Sequence, residues 1–144
     1  MSTFLLVEAR FYPHLNDMLL EGARKAIEAA GHKHETLTVP GSLELPGAIA
    51  LAARSGRFCA FVALGVVIRG ETAHFDYVCR SVTDGLTRVA LDTSTPVAHG
   101  VLTVDTVEQA RDRAGFDGSA EDKGWSATVA ALHAAVALRA VHRA

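Results

Sequence analysis

Apolar and polar positions divide the chain into alternating short strands and helices. Thr3 to Ala9 is an apolar strand. Pro13 then suits the first turn of a helix, in which Leu15, Met18, Leu19, Gly22, Ala23, Ala26, Ile27 and Ala30 recur at helical spacing until Gly31 stops it. His34 to Val39 alternates as a strand does, Pro40-Gly41-Ser42 turns the chain, and a second helix is predicted from about Leu43 to Arg54. Pro46 falls early enough in that helix to be tolerated, and Gly56 follows its end. Cys59 to Ile68 is an uninterrupted apolar run of ten residues, the pattern of a strand covered on both faces in a parallel sheet. A third helix is expected over about Thr72 to Asp92. Pro96 then opens a fourth strand, Val97 to Val104. Asp105-Thr106, with Glu108 and Gln109 behind them, predicts a capped short helix reaching Ala114. GFDGSAED (115–122) is the most loop-like stretch. An alanine-rich helix from Gly124 to His142 follows, with Arg139, His142 and Arg143 placed to favour its C-terminal dipole.

The order is therefore βαβαβαβ and then two helices. Right-handed crossovers make this an α/β fold: a four-stranded, parallel, doubly wound sheet with helices on both faces, in three αβα layers. No linker, repeat or low-complexity tract divides residues 1–144, which read as one domain. A sheet this narrow leaves edges for partners to cover, so a homo-oligomer is expected.

Composition narrows the function by exclusion. With 49% hydrophobic residues the chain has material for a core. A net charge of −2 gives no electrostatic reason to expect nucleic acid or an anionic membrane. No uninterrupted apolar run reaches the ~18–20 residues of a bilayer span. The start, MSTFLLVEARF, has no basic flank and meets Glu8 early, unlike a signal peptide, so the cytoplasm is the expected compartment. Cys59 and Cys79 form no CxxC and read as packing residues; no cysteine or histidine spacing suggests a metal site.

Candidate chemistry collects where strands end. In open α/β sheets ligands bind outside the carboxyl ends of the strands. There the long third strand gives way to Arg69-Gly70-Glu71-Thr72 and then His74. Gly70 lets the backbone approach a ligand, the following helix start favours an anion, and His74 is a proton carrier within that first turn. Arg69 reads equally as a phosphate ligand or as one half of an ion pair. Phe11, after the first strand, is either a cap on the core or a stacking face for a flat heterocycle. Glu44 is either a dipole-stabilising carboxylate or an acceptor for ligand hydroxyls and N–H groups. Asp76, two residues beyond His74, does not share its helix face. Arg111, Arg113 and Lys123 read by default as a solvated basic face.

Five blocks, in order, resemble the lumazine synthase family: Arg10-Phe11, VPGSLELP (39–46), LGVVIRGETAHFDYV (64–78), GVLTVDTVEQARDRAG (100–115) and Asp122-Lys123-Gly124. The third is the most specific. The resemblance implies a flavodoxin-like sheet and the condensation of 5-amino-6-(D-ribitylamino)uracil with 3,4-dihydroxy-2-butanone 4-phosphate, releasing phosphate, in riboflavin biosynthesis. It implies no metal or organic cofactor. On this pattern Phe11 stacks on the pyrimidine, Ser42, Leu43 and Glu44 hold the ribityl side, and Val66, Val67 and Ile68 meet the pyrimidine edge through backbone groups. Glu71 and Thr72 bind phosphate, His74 carries protons, Arg113 grips the phosphate from a neighbouring subunit, and Lys123 lies near the ribityl chain.

Three positions depart from the family pattern. Tyr12 stands where Asn is frequent, Leu43 where Phe is common, and His99 where an aromatic residue of the neighbouring subunit usually closes over the pyrimidine. The resemblance also implies active sites between subunits of a pentamer. A start close to the first core strand and a longer loop at 116–121 lead to the expectation of a pentamer or a pair of pentamers rather than a 60-subunit shell. Two other readings remain: a non-catalytic flavin- or lumazine-binding relative, and a flavodoxin-like mononucleotide module. The second lacks the Ser/Thr-rich phosphate loop after strand one.

Overall fold

The computed structural model of the chain describes residues 2–143, without the Arg143 side chain, so the dipole role read for Arg143 lies outside the described residues. Strands β1 (Thr3–Ala9), β2 (Lys33–Val39), β3 (Ala60–Ile68) and β4 (Val97–Val104) form one sheet in the order β2-β1-β3-β4. Every pairing is parallel. Helices α1 (Pro13–Ala29), α2 (Leu45–Ala53), α3 (His74–Thr93), α4 (Val107–Arg113) and α5 (Lys123–Arg143) complete the chain. The three-layer αβα fold expected from the sequence is the one observed. The order in which strands are added reverses between β1 and β3, which opens a crevice at their carboxyl ends.

The alternation of side chains along each strand sorts the core into two layers. Phe4, Leu6, Val62, Leu64 and Leu102 pack with Leu19, Ile27 and Ala131 of α1 and α5. Leu5, Val7, Phe61, Ala63 and Val101 pack with Ile49, Val82 and Leu86 of α2 and α3. Covering both faces of β3 accounts for its unbroken apolar run. Each fully buried Leu or Ile contributes about 1.5–3 kcal/mol. By length and composition α5 is apolar enough to cross a membrane. Here it lies on α1 and β4, with Ala127, Thr128 and Ala131 buried. That contact is close: a Cβ on Gly124 would fall 2.0 Å from the Leu19 carbonyl oxygen.

Several boundaries differ from the sequence pattern by a residue or two, and three of them have a local reason. A 3-10 turn at Ser42–Glu44 precedes α2, and the helix proper begins at Leu45 with Pro46 in its first turn. β2 starts one residue early, at Lys33, whose N–H donates to Ser2 O. α3 starts at His74 rather than Thr72: the Thr72 hydroxyl accepts from the His74 amide (3.3 Å), a local side-chain turn that competes with helix and precedes its first residue. The predicted cap of α4 forms as read. Thr106 Oγ1 accepts from the Gln109 N–H (3.1 Å), and Gln109 Oε1 accepts from the Asp105 N–H (2.7 Å).

Candidate active site

A cavity of ≈ 380 Å³ opens at the crevice between the carboxyl ends of β1 and β3. Phe11 and Tyr12 enter it from the turn after β1. Ser42, Leu43 and Glu44 enter from the turn after β2, and Val66, Val67 and Ile68 line it along β3. Gly70, Thr72 and His74 close the remaining side. Phe11 is 69% exposed, so its ring faces the cavity and solvent rather than capping the core.

Close backbone approach brings these segments together. A Cβ on Gly65 would fall 2.9 Å from Ser42 Oγ, so only glycine in β3 lets the 3-10 turn sit down on the sheet. Gly85 plays the same part for α2 and α3, since a Cβ there would meet Pro46 at 2.7 Å. Gly70 differs. A Cβ on it would meet open space, so packing does not require glycine at that position.

Beneath the turn that carries Phe11 lies a polar network. Glu8, 3% exposed in β1, accepts hydrogen bonds from Arg10 Nε (3.1 and 3.2 Å), Asn16 Nδ2 (3.3 Å) and Thr38 Oγ1 (2.6 Å). Arg10 also reaches Asp17 at 2.6 Å, tying the end of β1 to α1. Burial on its own would raise the Glu8 pKa. The hydrogen bonds from Arg10, Thr38 and Asn16, with the Arg10 charge, outweigh it and hold the carboxyl below its ordinary value.

Of the two readings of Arg69, the ion pair is the one observed. Its Nε donates to Asp105 Oδ1 (2.8 Å), its Nη1 lies 3.5 Å from Asp76, and its guanidinium stacks over the Phe75 ring at 4.4 Å. The side chain thus straps the end of β4 to the first turn of α3, which carries His74. Asp76 faces Arg69 and does not line the cavity. Glu71 is exposed on the bend between Gly70 and Thr72 and is likewise outside the lining.

His99, Arg113 and Lys123 lie elsewhere. They line a second, polar recess of ≈ 270 Å³ along β4 and the ends of α4 and α5, and it shares no residue with the first cavity. Arg113 Nη1 donates to the Gln109 carbonyl (3.0 Å), and its Nε is 3.5 Å from Glu121. The Val101 N–H donates to His99 Nδ1 (3.3 Å), so Nε2 carries the proton toward Thr83 Oγ1 (3.0 Å). Burial pushes the His99 imidazole below its usual value, and the Lys123 charge acts in the same direction. This ring is therefore a neutral, fixed plane at the recess mouth.

The sequence reading missed Phe75 and Val78 in the cavity wall. Val78 lies one turn beyond both His74 and Phe75 on α3, a spacing that would have found it once His74 was placed; Phe75, adjacent to His74, carries no such signal. Among the described residues no group of three or more His, Cys, Asp or Glu is arranged to hold a metal ion. Both cysteines are half-buried, and burial pushes their thiols up.

Comparison with known proteins agrees with the motifs and the fold. The sequence profile of the family described as 6,7-dimethyl-8-ribityllumazine synthase matches residues 2–139. A 6,7-dimethyl-8-ribityllumazine synthase from Salinispora arenicola is 60% identical over 138 residues, covering 96% of this chain and 82% of the relative. Proteins of the same name from Sphingopyxis alaskensis and Erythrobacter litoralis are 58% and 54% identical, each over 92% of both chains. Relatives more than half identical over nine-tenths of the chain, together with a profile match that spans nearly every residue, leave one conclusion: the chain belongs to the 6,7-dimethyl-8-ribityllumazine synthase family.

Proposed function

We propose that this chain, acting as one domain over 1–144, condenses 5-amino-6-(D-ribitylamino)uracil with 3,4-dihydroxy-2-butanone 4-phosphate to 6,7-dimethyl-8-ribityllumazine. The amine and ketone join as an imine with loss of water, phosphate is eliminated, and the second nitrogen closes the ring with loss of another water. The observation that carries this reading is the single cavity in which an exposed aromatic ring, a strand edge and a histidine converge. Phe11 stacks on the pyrimidine, backbone groups of Val66, Val67 and Ile68 read its edge, and Ser42, Leu43 and Glu44 hold the ribityl chain. Thr72 and the backbone at Glu71 bind the phosphate. His74 takes and returns protons as the imine forms and phosphate leaves. Both reactants are intrinsically reactive, so orientation supplies most of the rate and the proton carrier about 10²–10⁴-fold more. The reaction needs no metal or organic cofactor.

The separation of His99, Arg113 and Lys123 from this cavity supports a site completed by a second copy of the chain. In that arrangement Arg113 grips the phosphate, Lys123 approaches the ribityl chain and the flat His99 ring closes over the pyrimidine. The long exposed edge strand β2 and the exposed Leu37, Leu91 and Val136 are further support for a homo-oligomer, a pentamer or a pair of pentamers. The substrates are small molecules, and the expected compartment is the cytoplasm.

Mixing the two substrates with purified protein tests the proposal. Lumazine fluorescence appearing in step with phosphate release, well above the protein-free rate, is the expected result. A rate equal to the protein-free one, with bound lumazine or flavin, would favour the non-catalytic reading. Light scattering that gives a monomer or a megadalton particle would remove the pentamer.

A further inference from the structure

We infer that Glu121 competes with phosphate for Arg113, weakening the hold on phosphate so that the released product leaves. The inference rests on the reading of Arg113 as the phosphate grip. Glu121 and Arg113 line the same recess, with Lys123 beside them. The Glu121 carboxylate lies 3.5 Å from Arg113 Nε, while Arg113 Nη1 is taken by the Gln109 carbonyl at 3.0 Å. Among the described residues no hydrogen bond engages Nη2, so an incoming oxyanion meets a guanidinium already flanked by a carboxylate and a carbonyl.

Backbone hydrogen bonds hold the residue that carries this carboxylate. The Glu121 N–H donates to Asp112 O (3.0 Å), its carbonyl accepts from the Gly115 N–H (3.1 Å), and Ala114 bridges Asp122 in antiparallel fashion. Residues 115–122 thus form a pinched hairpin whose return arm delivers Glu121 to the end of α4. A bound phosphate would bring negative charge beside Glu121 and would have to share Arg113 with it or displace it. Both side chains are substantially exposed, 40% and 54%, so water screens the pair and its displacement is inexpensive. The consequence is a moderated affinity: Arg113 holds the phosphate ester, whose organic portion makes contacts of its own, but holds free phosphate less well.

The test titrates inorganic phosphate calorimetrically into wild type, E121Q, R113A and the double variant, alongside KM for each substrate. E121Q keeps side-chain size and the backbone bonds while removing the charge. It should tighten inorganic phosphate and lower KM for the butanone phosphate about two- to fivefold, the worth of an exposed ion pair, and leave KM for the uracil unchanged. In the R113A background E121Q should change nothing. Should E121Q leave phosphate affinity unaltered or weaken it while R113A abolishes it, Glu121 is not a competitor and the role of Arg113 stands. If R113A binds phosphate as wild type does, the reading of Arg113 fails and the inference falls with it.

Discussion

The two cavities differ in how each is built. The one at the β1–β3 crevice is walled by apolar side chains and backbone, and buried supports hold its shape: the Glu8–Arg10–Asn16 network beneath Phe11 and the Ser42–Gly65 contact. The recess on β4 carries a neutral imidazole, two cations and a carboxylate, with the Arg113 and Glu121 side chains open to water. An apolar wall with an exposed aromatic ring suits a flat ligand recognised by area and orientation. The second offers charge without enclosure and gains strength only when another surface excludes water from it. On the proposed function these are two fragments of one site, joined when a second copy of the chain meets the first.

Removing the supports should break this contrast most severely. Glu8→Ala strips the buried carboxylate from Arg10, Asn16 and Thr38 and should cost about 3 kcal/mol, measured by urea unfolding. The same group sets an acid limit. Because its folded pKa is depressed, its stabilisation is intact above the unfolded glutamate value of about 4.3 and is lost as pH falls through the lower folded value. Glu8→Gln should flatten that decline; an unchanged acid profile would deny Glu8 the role. Next, His74→Ala should lower kcat about a hundredfold with unfolding unchanged, because orientation survives without the proton carrier. A complete loss of turnover in a folded protein would assign the histidine a larger part.

Arg113→Ala sharpens the comparison from the other side. It should raise KM for the phosphorylated ketone about tenfold or more while leaving pyrimidine binding nearly untouched. Equal losses for both substrates would erase the division of labour between the two cavities. The smallest effect belongs to His99→Gln. With its folded pKa lowered, His99 opposes stability as pH drops below the unfolded value of about 6.5, so the glutamine variant should show a flatter stability profile across that region. A slope identical to wild type would mean that the ring is solvated.

What the sequence could tell follows the range of the forces involved. Strand β3, the proline start of α1 and the Thr106–Gln109 cap depend on neighbours a few residues away, and they were readable to within a residue or so. The convergence of Phe11, Ser42 and His74 was readable too, because strand ends in a parallel sheet must share one rim. The destination of Arg69 was not, since its strongest partner, Asp105, is 36 residues distant. Nor was Glu8, a carboxylate in an apolar strand whose partners come from the turn after β1, from α1 and from β2. The separation of His99 from the first cavity is not readable from spacing, and only the family resemblance anticipated it.

The hairpin at 115–122 also has a use in protein engineering. The Ala114–Asp122 bridge closes it like an eyelet, and its tip, Gly118, is exposed with φ 83° and nothing within 4 Å of where a side chain would begin. A peptide tag or fluorophore-bearing graft spliced at that tip would project into open water while the knot at its base keeps the bulk of the scaffold in register.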